Sequence, residues 1–388
     1  MARALLGVVN QVYCTIDIEN QPMPATPNLV DKIHVVEGIG QSIPSLELYL
    51  YDQQGSLADD LSLFEGKPIF IELGKSEALY RTYEYRVFGL KSMDTHAGQM
   101  LKVVCILNCY KFASESNVKA FADTSANAIA QAAGAGGMTF DGPTVTTADK
   151  QNWLCVTQTL SSFVEDTALR GFVNDGSCMA HVLTTGGVVR YKDLFEELRQ
   201  EPKMVFLHNS PKGNNPYPEH IVRQVNVSSR GGVFSNWVNY GYAQYEHDLS
   251  GDITSNTSVN APIVDGFPVN NIRNDMQYAR IEHVGFDTGT DAKPGGNVHK
   301  NYRKAKYQNL RFRALFTETI QMIVENITTV ELFDPVLLDY VEFKNGQFIH
   351  NERYSGMYIV ANKTAVVKNG IRYVEKLTLI RPSVGNAK

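Results

Sequence analysis

The chain has 388 residues, a formal charge of −5 and 20% charged residues. At roughly 150 residues per domain, this length predicts two or three domains. The 43% hydrophobic content excludes wholesale disorder, and the acidic balance argues against a general nucleic-acid binder. No stretch approaches about 20 consecutive apolar residues, so no membrane-spanning helix is expected. Met1–Asn10 carries one basic residue, and its short apolar run is broken at Asn10 and Gln11. That is a poor secretory signal, and synthesis in a cytoplasm is expected.

Residues 1–112 read as a succession of strands. Leu46, Leu48 and Leu50 alternate with Glu47, Tyr49 and Tyr51, the period-two signature of a half-buried strand. Asp52-Gln53-Gln54-Gly55 supplies a turn. Ile69, Ile71 and Leu73 repeat the alternation. Tyr83 to Leu90 and Met100 to Tyr110 predict two more strands, separated by the polar turn Met93 to Gly98. Strands at this spacing predict a compact antiparallel barrel or sandwich.

The texture changes at about residue 113. Thr124 can cap a helix over Ser125–Ala133 that ends at Gly134. A second helix fits Gln158–Arg170, with Leu160, Phe163, Val164, Thr167 and Ala168 on one face and Gly171 as its stop. Cys178–Leu183 and Val188–Tyr191 flank Thr184-Thr185-Gly186-Gly187, a hairpin with a Gly-rich loop. Asp193 can cap a short helix through Leu198. Strands return at Glu219–Val227. From residue 228 onward the chain is rich in Gly, Asn, Asp and Ser, with isolated aromatic strands such as Phe234–Tyr245, and Ser250–Asn274 shows little periodicity. Leu310–Phe316, Ile320–Val330, Leu337–Phe343, Gly356–Ala361 and Ile371–Pro382 then predict a second barrel-like set. Asn345-Gly346 and Asn369-Gly370 are strong hairpin turns.

The expected fold is mainly β with α+β: two tube-like antiparallel β-barrels flanking a small α+β domain and a loop-rich insertion. Residues 1–112 form the first barrel and 113–202 the α+β domain. Residues 203–227 and 308–388 form the second barrel, and 228–307 the insertion.

Catalytic signatures are absent from the sequence. Gly134-Ala135-Gly136-Gly137 follows a helix, so phosphate cradling is unsupported. Glu246-His247-Asp248 and Glu282-His283 lack the spacing of a helical zinc motif, and no nucleophile elbow occurs. Four Asn-x-Ser/Thr sequons, at Asn226, Asn256, Asn326 and Asn362, read as chance matches without a secretory signal. The five cysteines are an odd number and predict buried thiols. Cys105 and Cys109 lie four apart in a predicted strand, about 13 Å along one face. That is too far for a disulfide or a shared zinc. No catalytic, cofactor or metal residues are expected. One cluster stands out: Lys300, Arg303, Lys304, Lys306, Arg311 and Arg313, interleaved with Tyr302, Tyr307 and Phe312 and free of acids. In an acidic chain this suggests a contact surface for phosphate or an acidic partner.

The layout resembles the baseplate hub, or late control, proteins of contractile phage tails, and is similar to the hub half of type VI secretion spike proteins. Four segments carry the resemblance: Leu63–Gly74 in the opening barrel, Thr157–Phe172 in the middle, the basic stretch Lys300–Arg313, and Tyr354–Val360 followed by Leu377–Pro382. The middle helix lacks an Asp-Trp-Asp-Phe-type start, and no needle-like repeat follows Pro382. The resemblance implies a homotrimer with two tube-like barrels per chain, forming a pseudo-six-fold ring. Such a ring joins the tail tube, or a tube-initiator protein, to a trimeric central spike amid other baseplate proteins. DNA passes its channel without specific binding. The chain is then a virion component made in the bacterial host, with no enzymatic role. The basic cluster is expected to contact another chain and not DNA, because cations lining a channel would hold the passing phosphates. Two alternatives stay open: a β-rich receptor- or glycan-binding tail component using loop 250–275, and a hydrolase with an unrecognised acid pair.

Overall fold

A computed structural model describes residues 13–18, 21–76, 79–95, 98–174, 176–210, 216–222, 224–229, 242–247, 253–259, 280–286, 312, 315–316, 318–325, 327–344, 346–369 and 372–382. The first half contains β1 (Tyr13–Ile18), β2 (Gln21–Pro24), β3 (Val30–Gly38), β4 (Ser45–Tyr51), the single-turn helix α1 (Leu57–Asp60), β5 (Pro68–Ser76), β6 (Leu79–Thr95) and β7 (Gly98–Leu107). The alternation written in the sequence is the alternation of burial. Leu46, Leu48 and Leu50, with Ile69 and Ile71, are almost fully buried.

The middle region contains α2 (Tyr110–Ala113), β8 (Ser116–Asp123), α3 (Ser125–Ala135), β9 (Thr139–Asp141), β10 (Gln151–Thr159), α4 (Leu160–Arg170), β11 (Met179–Leu183), β12 (Val188–Asp193) and α5 (Leu194–Glu197). Local capping sets these helices. The Thr124 hydroxyl accepts from the Asn127 N–H, Thr159 from Ser162, and the Asp193 carboxylate from Phe195. Each satisfies an N–H group that the first helical turn leaves open. All five residues expected on the inner face of α4 are buried, and Gly171 ends it. Helix α3 runs through Gly134 to Ala135 and closes at Gly136. Its stop therefore lies two residues beyond the sequence expectation.

The remaining strands are β13 (Val205–His208), β14 (Glu219–Val222), β15 (Gln224–Ser229), β16 (Tyr242–His247), β17 (Ile253–Val259), β18 (Arg280–Phe286), β19 (Glu318–Val324), β20 (Pro335–Lys344), β21 (Gln347–His350), β22 (Gly356–Lys368) and β23 (Arg372–Arg381). Strands β16, β17 and β18 form a three-stranded sheet inside the stretch read as loop-rich. Strand β17 therefore stands where no periodicity announced one.

The mainly β fold with little helix is as expected; the described strands of the two tube-like units are joined in one sheet and form no closed barrel. Among the described strands, fifteen make one sheet, with the path β14-β13-β20-β22-β3-β4-β7-β6-β5-β1-β2 and a branch through β23, β19 and β15. The joint is β22. Its first residues pair with β20, and Asn362–Lys368 pair antiparallel with Gly38–Lys32 of β3. Among the described strands, β2 and β14 close onto nothing further. Alternation specifies which face of a strand is buried but not which strand lies beside it, so the sequence does not distinguish two barrels from one continuous sheet. Strand β13 also runs parallel to both β14 and β20.

Four smaller expectations are corrected. The turn expected over Met93–Gly98 is mostly ladder, since Met93 pairs with Met100 and Thr95 with Gly98. Cys109 is not on a strand but precedes α2. Strand β19 ends at Val324, short of Val330. In the stretch Leu310–Phe316, Phe312 is helical and Leu315 and Phe316 form a turn.

Two apolar cores result. One unites the first half with α3, α4 and the β8–β10 pair. The other packs β11 and α5 against the closing strands. Within the second core, Arg381 Nη2 donates to Glu318 Oε1 at 2.8 Å, with both residues almost fully buried. Tyr358 also donates to that carboxylate. All five cysteines are buried free thiols.

Candidate functional site

The six cations Lys300, Arg303, Lys304, Lys306, Arg311 and Arg313 lie outside the described residues. The described surface instead offers three contrasting regions and two cavities.

The outward face of β3, β4 and β7 is charged and cross-tied. Lys102 Nζ donates to Glu47 Oε1 at 2.7 Å and Tyr49 Oη to Glu47 Oε2 at 2.9 Å. Lys32 and Lys102 each lie 5.1 Å from the Tyr49 ring centroid. Burial opposes ionisation of Glu47, but the hydrogen bonds from Lys102 and Tyr49 win and hold its carboxyl below the usual range.

The β8–β10 pair is finished differently. Phe121, Trp153 and Cys155 face inward and are buried. Phe121 stacks 4.8 Å from Phe163 of α4, and the Trp153 indole N–H donates to the Asp123 carbonyl at 3.0 Å. The outward positions are Ser116, Val118, Ala120 and Ala122 on β8, and Asn152, Leu154 and Val156 on β10. All are exposed and none is charged. Val118 opposes Val156, and Ala120 opposes Leu154. Val118 is 76% exposed, Val156 59% and Leu154 53%. Among the described strands, β8 and β10 pair only with each other. An uncharged, apolar, exposed sheet face is the composition of an interface centre. Its sequence signal was the unbroken apolar run Trp153-Leu154-Cys155-Val156, which leaves neither face polar.

The third region is the hairpin of β20 and β21. Phe343 and Phe348 sit directly opposite each other, with ring centroids 5.1 Å apart, and every residue of β21 is exposed. Gly346 turns the chain at φ +82°, a left-handed conformation that favours glycine.

One cavity, of about 510 Å³, is lined by Ile39 and Ile43 after β3, by Ala168 and Leu169 of α4, and by β11. Ser161, Ser162 and Glu165 bring polarity to it. His181 lines it too, and burial pushes its imidazole down to about 4, so it is neutral near pH 7. The other cavity, about 550 Å³, is lined by β3, β5 and β6, the turn between β11 and β12, residues 327–331, and strands β22 and β23. There Glu37 of β3 accepts from the Thr185 N–H at 2.6 Å, and burial pushes its carboxyl up. Lys363 Nζ stands 3.5 Å from Glu375 Oε1. Nearby, Arg190 pairs with Asp141 at 2.9 Å and with Asp334 at 3.1 Å, clamping the middle region to the second half.

This chemistry is that of joints and contact faces. Among the described residues no group of three or more His, Cys, Asp or Glu is placed to hold a metal. The Glu318 carboxylate has no exposed surface, which removes it from any substrate in this conformation. Among the described residues, no helix is long and apolar enough to cross a membrane.

No family model matches the chain, and no curated protein matches it in sequence. Its fold does have solved counterparts. A tail protein from Neisseria meningitidis MC58 superposes with a TM-score of 0.56 at 7% identity, covering 97% of this chain and 98% of that one. The 43 kDa tail protein of prophage MuSo2 from Shewanella oneidensis does so with a TM-score of 0.57 at 8% identity, covering 97% and 100%. At such identities the shared property is the fold, and it extends over nearly the full length of all three chains.

Proposed function

We propose that this chain is a structural baseplate hub of a phage tail, assembling as a homotrimer whose ring joins the tail tube to the central spike. The observation that carries this reading is the full-length fold shared with two tail proteins. The finish of the surface supports it. The uncharged ribbon face and the exposed aromatic hairpin are surfaces for protein, and the described residues hold no catalytic constellation. A trimer of such chains brings three copies of each half around one axis and leaves a central passage for DNA. In this reading the protein resides in the virion, meets a tube or tube-initiator protein, a trimeric spike and surrounding baseplate proteins, and has no enzymatic role. The cations from Lys300 to Arg313 contact another chain in the assembly.

Native mass and class-averaged images of the purified protein test the reading. A three-chain ring with an open centre is expected, and a monomer at all concentrations would sink it. Replacing Arg303, Lys304 and Lys306 with Glu is expected to block ring or baseplate assembly and leave the monomer folded. Normal assembly with disturbed DNA ejection would put these cations in the channel.

A further inference from the structure

We propose that the hairpin of β20 and β21 is a knob that seats in the 510 Å³ cavity of a neighbouring copy. The inference rests on the ring reading above and adds its contact. The knob is Phe343 and Phe348, 63% and 67% exposed, beside Ile349 at 47%. The two rings already touch each other, so the pair is shaped before it binds and little side-chain freedom remains to be lost. The hole has an apolar side, with Ile39, Ala168, Val182 and the half-exposed Leu169 in its lining, and a polar side with Ser161, Ser162 and Glu165. Its volume of about 510 Å³ falls in the range of roughly 300–1,000 Å³ that takes drug-sized ligands, which is room for two phenyl rings. Together the two rings can bury at most roughly 300–500 Å², and less because each is already about a third covered, so they supply the centre of an interface and not the whole of the ~800 Å² per partner that a standard one needs.

A chain cannot serve itself in this way. Ile39 of the cavity donates its N–H to the Ala361 carbonyl at 2.9 Å. Ile359, two residues before Ala361, pairs with Pro335 at the start of β20. Strand β20 then runs away from that point, antiparallel to β22. Phe343 lies eight residues further on, about 26 Å along the strand. Knob and hole are different patches of one molecule, so their contact is head-to-tail. Repeated around an axis, such a contact closes a ring. A second copy is therefore the occupant that explains both features at once.

Two variants and one cross-link test this. The double substitution Phe343→Ser with Phe348→Ser is expected to convert the wild-type trimer to monomer in native mass measurements, with unchanged far-UV circular dichroism. Leu169→Arg blocks the hole and leaves the hairpin untouched, and is expected to do the same. Joining Phe348→Cys with Leu169→Cys is expected to give two- and three-chain species on a non-reducing gel. Neither single cysteine variant should do so, because the five native thiols are buried. A wild-type trimer that survives both the serine and arginine variants would overturn the knob and leave the ring reading standing. A bond formed within one chain would overturn it as well. A wild-type protein that never leaves the monomer would remove the ring reading, and the contact with it.

Discussion

The outward face of β3, β4 and β7 carries Lys32, His34, Glu47, Tyr49 and Lys102, tied by hydrogen bonds and cation–ring contacts. The outward face of β8 and β10 carries Val118, Ala120, Ala122, Leu154 and Val156 with no charge at all. Both are sheet faces over a packed core, so burial on the inner side does not explain the contrast. What differs is the intended neighbour. Carboxylates and ammonium groups keep a sheet soluble, and they are costly to desolvate against protein. Valine and leucine side chains gain by being covered. The first face is suited to water, and the second would gain by being covered.

The comparison can be broken from the inside first. Trp153→Ala empties the buried side of the ribbon and is expected to cost about 3–5 kcal/mol, close to the ~2–5 kcal/mol expected for Leu48→Ala under the charged face. Urea unfolding would measure both. A Trp153→Ala cost below about 1 kcal/mol would mean that the ribbon is not anchored by its core side.

Acid probes the cavity wall. The His181 imidazole titrates at about 4 when folded against about 6.5 unfolded. Between these values the unfolded chain binds more protons, so stability is lost as pH falls from about 6.5 towards 4. The expected loss is about 1–3 kcal/mol, and His181→Asn should flatten that part of the pH profile in thermal melts.

The charged face gives a smaller effect. Glu47→Ala removes the shared partner of Lys102 and Tyr49, and is expected to cost about 0.5–1 kcal/mol, less at high salt. Because the Glu47 carboxyl is held below its usual range, its contribution is present above about pH 4.5 and fades as pH falls through the folded value. Melts of both proteins between pH 3 and 7 would show the difference closing at the acid end.

The smallest effect sharpens the contrast most. Val118→Ser, Leu154→Ser and Val156→Ser are each expected to change monomer stability by no more than about 0.5 kcal/mol. Sedimentation of the triple variant should show weaker self-association. A large loss of monomer stability would mean that this face is already covered within one chain.

The local devices were legible in the sequence. Thr124 and Asp193 announce their helices because a cap bonds within three residues, and the inner face of α4 follows from spacings of three and four. The pairing of β3 with β22 was not legible, because nothing in Lys32–Gly38 names Asn362–Lys368 as its partner. The ribbon was missed because Trp153–Val156 is apolar at each position, so neither period stands out. The aromatic pair lies on either side of the turn expected at Asn345-Gly346, of which Gly346 is described as a turn, but exposure at Phe343 and Phe348 is a property of what does not pack on them. The cations at 300–313, the one site chosen from sequence, fall outside the described residues.

The pairing of Gly38 of β3 with Asn362 of β22 spans more than three hundred residues, and it puts a clock on the newborn chain. Synthesis proceeds at about 5–20 residues per second. Strand β3 therefore leaves the ribosome roughly 15–65 seconds before its partner exists. Through that interval its edge stands open, a template for any other strand nearby. Asp31, Lys32 and Glu37 place charge along it, which discourages a premature match with a neighbouring chain on the same message. Folding of the first half is completed by nearly the last strand to be made.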